Sequence, residues 1–210
     1  MKQDKREILI KIRNYLRRKK ANKINLLEIC QELNYELNEI TTWASTPESL
    51  IEQILDLKSQ ELMDVLDYDK YKSENAVDSM VISGQEIYER FEQLSPANYV
   101  FIADINPELY RNCQNKKFEL IRKHLSNNID KGQETGEYKA NLNKGMILDK
   151  YIKRIKEIHK PEFLKSEHFT FSNVFSNIFE DYLEEVATEE NWNYFRKRKQ
   201  FYEAISFINR

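Results

Sequence analysis

The stretch LLEICQELNYELNEITTW, from Leu26 to Trp43, decides how the chain is read. Leu26, Leu27, Ile29, Cys30 and Leu33 recur at the three- and four-residue intervals of one helix face. Leu37, Ile40 and Trp43 repeat that spacing after an interruption at Leu33-Asn34-Tyr35, where Asn34 can take the left-handed conformation of a tight turn. Just upstream, Ile8, Ile12, Tyr15 and Leu16 make another apolar stripe, bounded by basic residues. Three closely spaced helices, the last two short, are what a helix-turn-helix needs. The first two brace the third, and its exposed face can lie in the DNA major groove.

The pattern continues outward as helices. Thr46-Pro47, Ser95-Pro96 and Asn106-Pro107 each set a capping residue before a proline at the first helical position, where the missing N–H costs nothing. Pro161 follows Lys160 at an expected helix end. Leu50, Ile54, Leu57, Leu62 and Val65 stripe a long helix after Thr46, and Ser73 is placed to cap the next. Phe118, Ile121, Leu125 and Ile129 stripe another after Pro107, which Gly132 and Gly136 are expected to break. With only four Gly and four Pro in 210 residues, the chain reads as all-α.

The segments Phe171–Val186 and Trp192–Ile208 carry apolar faces wider than one neighbour needs, which predicts a homodimer through these last two helices. Cys30 and Cys113 fall on apolar helical positions without metal-ligand spacing. They read as reduced packing residues in a cytoplasmic protein, with no signal peptide and no membrane span. His124, His159 and His168 are isolated, and no phosphate-cradling, metal-binding or nucleophile motif is present. The expectation is therefore a non-enzyme without cofactor, catalytic group or metal.

Basic and acidic residues nearly cancel, 33 against 35, but ten of the cations lie within residues 1–23 and could neutralise phosphates. From Ile8 to Leu55 the chain resembles the DNA-binding head of tetracycline-repressor (TetR) family regulators. The first-helix stripe falls on Ile8, Ile12 and Leu16, and the second-helix pattern on Leu26, Ile29 and Cys30. The run into the fourth helix falls on Ile40-Thr41-Thr42-Trp43-Ala44-Ser45-Thr46-Pro47-Glu48-Ser49-Leu50. A second match, His124 to Tyr138, is similar to the glycine-containing turn between two long helices of that family's ligand domain. The chain departs from the pattern at Asn34, Ala44 and Pro47, where the family has glycine, phenylalanine and a phosphate-touching lysine.

The resemblance implies a helix-turn-helix domain over 1–50 and a helical effector-binding and dimerisation domain over 51–210. It implies a transcriptional regulator, in the repressor mould, that binds a double-stranded DNA operator and answers to a small-molecule effector. Candidate DNA contacts are Lys20, Lys23, Asn34, Tyr35, Asn38, Thr41, Thr42, Trp43 and Thr46. An asparagine can pair bidentately with adenine, and threonine can meet a thymine methyl. Glu36 and Glu39 oppose this, because carboxylates repel phosphate unless one accepts from a cytosine amino group. The alternative is a helical protein that has lost operator binding and serves as an interaction or ligand-sensing module. For the effector, the aromatic candidates are Tyr88, Phe91, Phe101, Tyr110 and Phe118.

Overall fold

The computed structural model describes residues 4–90, 96–160 and 171–208, with backbone alone at 88, 171–176 and 201–208. Phe91, Ser95, Pro161 and His168, and the side chain of Tyr88, lie outside the described residues. Helices follow in the order α1 Lys5–Arg18, α2 Leu26–Leu33, α3 Leu37–Thr41, α4 Pro47–Val65, α5 Ala76–Glu89, α6 Ile102–Ile105, α7 Pro107–Glu134, α8 Lys144–Ile158, α9 Phe171–Val186 and α10 Glu189–Ile208. Two 3-10 turns, Tyr68–Tyr71 and Pro96–Asn98, also lie among the described residues. Among the described residues no strand forms, and a single isolated bridge pairs Tyr138 with Ala187. Among the described residues no helix is long and apolar enough to cross a membrane.

The chain divides into two compact units. The first comprises Met1–Asp64, Arg90–Glu119 and His159–Phe169; the second comprises Val65–Glu89, Leu120–Ile158 and Thr170–Arg210. The expected boundary at residue 50 therefore does not coincide with the packing. Ile8, Leu9, Ile12 and Leu16 of α1 share one core with Ile51, Ile54, Leu55 and Leu57 of α4. Tyr99, Phe101, Ile102 and Tyr110 close the same core from far along the chain.

Side-chain caps start α1, α2 and α4, while α3 follows Glu36 without one. The Asp4 carboxylate accepts the Arg6 N–H at 3.2 Å, and Asn25 Oδ1 accepts from Leu27 and Glu28 at 3.1 and 3.3 Å. Thr46 Oγ1 accepts the Ser49 N–H at 3.1 Å while Ser49 Oγ accepts the Thr46 N–H at 3.0 Å, a reciprocal cap that starts α4 at Pro47.

In the second unit Asn128 is the hub. Its amide N–H donates to Ala76 O at 2.8 Å and Ser79 Oγ at 3.1 Å, and its Oδ1 accepts from Tyr138 at 2.7 Å and Tyr182 at 3.2 Å. Two local expectations are corrected here. α5 is capped by Asn75, whose Oδ1 accepts the Asp78 N–H at 2.6 Å, and not by Ser73. Gly132 does not break α7, which runs on to Glu134. Glycine is needed there because the Tyr138 ring lies where a Cβ would stand, 2.3 Å from that position. Gly136 makes the turn, at φ +75°.

Part of the apolar face expected to join two subunits packs into the core of its own unit. Ile178, Tyr182, Leu183, Val186 and Phe195 are buried there. The basic run after Phe195 is partly internal as well. Arg198 donates to Asp78 at 3.2 Å, and Lys199 pairs with Glu180.

Candidate nucleic-acid interface

The turn before α3 is set by Asn34, which caps α2 in the left-handed region at φ 56°, ψ 48°. Its neighbour Tyr35 returns an N–H to Cys30 O at 2.9 Å. Ile40 and Ala44 are fully buried, so α3 is anchored from beneath. That leaves Asn34, Glu36, Leu37, Asn38 and Thr42 exposed, with Tyr35, Glu39, Thr41 and Trp43 half-buried. Leu37, at 37% exposure, is an apolar residue on an otherwise polar face.

The candidates divide by what they already hold. Asn38 is exposed and its amide makes no hydrogen bond among the described residues. Thr42 donates its hydroxyl to Glu39 O at 2.9 Å and Thr41 to Asn38 O at 3.4 Å, within the helix. Each hydroxyl keeps acceptor capacity for an outside donor. Thr46 is occupied as the α4 cap, so the Ser49 N–H is not open to a phosphate. Trp43 lies under the Lys5 ammonium, 5.3 Å from the ring centre, and Lys5 donates to Gln53 at 2.6 Å. This ring fastens the start of α1 to α4 rather than offering a free face. Lys20 and Lys23 are exposed between α1 and α2, Lys20 at φ 50°.

The basic arm is less available than its composition implies. Arg13 is 4% exposed and donates to the Tyr99 hydroxyl at 2.9 Å. Arg6 is paired with Glu61 at 2.8 Å, and Arg17 with Asn98. Helical spacing does hint at this for Arg13, one residue on from Ile12, but the receiving tyrosine lies too far along the chain for the sequence to reveal. Exposed cations remain at Lys11, Arg18, Lys20 and Lys23, while Lys19 is paired with Glu28. Burial first, then the charges of Glu36 and Glu39, push the Cys30 thiol up from its ordinary value.

The proposed effector aromatics are not gathered in the second unit. Phe101 and Tyr110 belong to the core that the head shares, and Phe118 packs edge-on against His159 at 5.6 Å, also in the first unit. His124 is buried with Nδ1 3.2 Å from Leu66 O, and burial lowers its pKa, as suits a packing residue. Among the described residues no cluster of His, Cys, Asp or Glu could hold a metal ion.

No protein-family model and no curated protein sequence matches the chain. Among solved structures its fold is similar to that of a protein from Vibrio parahaemolyticus described as a transcriptional regulator of the TetR family. The TM-score is 0.52 at 14% sequence identity, covering 89% of this chain and 100% of that one. The likeness is one of fold, and it bears out the all-α, TetR-like architecture expected from the sequence.

Proposed function

We propose that the chain is a DNA-binding transcription regulator that reads an operator through α3 and is tuned by a small effector. One observation carries the reading. A short helix, oriented by left-handed Asn34 and rooted by buried Ile40, turns Asn38 and Thr42 outward, and the same unit exposes Lys20 and Lys23 at the α1–α2 junction. A head of this kind gains selectivity from two copies, so a homodimer is part of the proposal. It would set the two α3 helices a multiple of roughly 34–36 Å apart. An effector acts only by binding one arrangement of the heads better than the other.

A mobility-shift titration with genomic fragments at low and moderate salt tests this. Expected is saturable binding that Asn38→Ala together with Thr42→Ala abolishes, while thermal unfolding stays unchanged. Weak, sequence-blind and salt-labile binding, indifferent to the substitutions, contradicts it.

A second reading has its own support: Glu36, Glu39 and Pro47 take carboxylates and a missing cation to the surface that would face phosphate. A head of that charge suits a protein-interaction or ligand-sensing module. In that case the double substitution leaves the partner profile intact and no duplex is retained.

A further inference from the structure

The first unit holds a buried polar cluster that DNA reading does not use. On α7, Tyr110, Gln114 and Lys117 follow at i, i+4 and i+7, so one face carries all three. On α4, Lys58 and Glu61 stand one turn apart. The two helices meet where Ser59 Oγ lies 3.9 Å from Cys113 Sγ, and Lys58 Nζ stands 4.2 Å from the centre of the Tyr99 ring. Lys58, Glu61, Gln114 and Lys117 are each at least nine-tenths buried, at 4%, 5%, 9% and 7% exposure. Among the described residues, both amide atoms of Gln114, Lys117 Nζ and Glu61 Oε2 make no hydrogen bond. Tyr110 lies close enough to Gln114 to feel its dipole, yet its hydroxyl forms no hydrogen bond of good geometry.

Native proteins leave few buried polar side chains unpaired, and a concentration of them in one place asks for a partner. The charges say which kind. Arg6 answers Glu61, while Arg13, Lys58 and Lys117 are in no ion pair among the described residues. The surroundings are aromatic: the Phe118 ring centre is 4.4 Å from Lys117 Nζ, and Tyr99 lies under Lys58.

We infer that this cluster binds a small carboxylic acid that also carries a hydrogen-bond donor. Lys58 and Lys117 supply the cations for the carboxylate, with Gln114 Nε2 and the Tyr110 hydroxyl as neutral donors. Gln114 Oε1 or Glu61 Oε2 accepts from the ligand's hydroxyl or amine. Aromatic walls suit a monoanion with a short apolar body better than a strongly hydrated phosphate. Burial, then the charge of Lys58, hold the Lys117 ammonium well below its ordinary range. A bound carboxylate offsets both, so binding takes up a proton. The titratable and charged groups facing this position are Arg13 from α1, Lys58 and Glu61 from α4, Tyr99, and Tyr110 and Cys113 on α7 itself. The site stands whether or not the chain binds DNA; that the acid controls DNA binding rests on the regulator reading.

Thermal unfolding of the full chain, without DNA and at matched chloride, tests the site with hydroxybutyrate, acetate and inorganic phosphate as probes. Hydroxybutyrate is expected to raise Tm by a few degrees in a concentration-dependent way, acetate less, and phosphate no more than chloride. Lys117→Met and Gln114→Ala each cost about tenfold or more in affinity, whereas exposed Lys153→Met on α8 costs nothing. Calorimetry in two buffers of different ionisation heat shows proton uptake that Lys117→Met removes; should that variant not fold, the Gln114→Ala loss and the wild-type uptake decide. Equal shifts in wild type and variants, a shift with phosphate alone, or no shift with any probe overturns the proposal. Because DNA is absent, such a failure leaves the regulator reading standing, and a failure to bind DNA leaves this site standing.

Discussion

Replacing Gly132 by alanine should destabilise the protein although the residue sits inside a helix, where alanine is intrinsically better by up to about 1 kcal/mol. The new Cβ would lie 2.3, 2.4 and 2.7 Å from Cδ2, Cγ and Cε2 of Tyr138. Carbon atoms rest at about 3.5–4.0 Å, so ring and helix must part by more than about 1 Å. The ring has little room to yield. It is 2% exposed, and its hydroxyl is held by Asn128 at 2.7 Å and Ala76 O at 3.3 Å. Overpacking of this kind costs about 1–3 kcal/mol. Pulling the hydroxyl from Asn128 adds about 1–3 kcal/mol, because both groups stay buried. Set against the helical gain, the net loss is about 2–4 kcal/mol, or a fall in Tm of roughly 5–15 °C for a chain of this size. Thermal unfolding followed by circular dichroism measures it. The same change in a Tyr138→Ala background should cost far less. A Gly132→Ala protein as stable as wild type, or equal losses in both backgrounds, refutes the reasoning.

Other substitutions follow from the same kind of argument. Gly145→Ala, in the first turn of α8 with nothing nearer than 3.7 Å, should be neutral or raise Tm slightly by the same melt. Asn34→Ala should cost about 1–2 kcal/mol in urea unfolding because its backbone is left-handed, while Asn34→Gly should cost nothing or stabilise. Burial brings the Lys58 ammonium down to about 8, so between pH 8 and about 10 the unfolded chain binds more protons than the folded one and stability rises. The penalty relieved is roughly 3 kcal/mol. Above about pH 10 the sign reverses, as unfolded tyrosines ionise while buried Tyr99 and Tyr110, both raised by burial, hold their protons. Lys58→Met should flatten the rise and stabilise the protein at pH 7; a pH series of urea melts with an unchanged slope contradicts this.

What could be read from the sequence was local. Thr46-Pro47 and Asn106-Pro107 announce α4 and α7 because a cap and a fixed φ act within one turn, and Asn34 announces the break between α2 and α3 for the same reason. Long-range pairing could not be read. Arg13, Lys58 and Lys117 stand in runs that look solvated, yet each is buried against residues distant in the chain. Gly132 looks like a helix breaker until Tyr138 is seen folded back on it. Phe101 and Tyr110, offered from the sequence as effector candidates, prove to lie in the core that the head shares, a placement that depends on residues far apart in the chain. The exposure of Asn38 and Thr42 followed from periodicity once Ile40 was placed inward.

The most direct test of the central claim is a selection of bound sites from random-sequence duplex DNA at moderate salt. If α3 reads bases, the enriched pool should carry a two-fold symmetric motif with half-sites about 10 bp apart, or a multiple of that, and Asn38→Ala should blur one position in each half. A pool that stays random, or a motif that Asn38→Ala leaves unchanged, contradicts the claim that this short helix enters the groove.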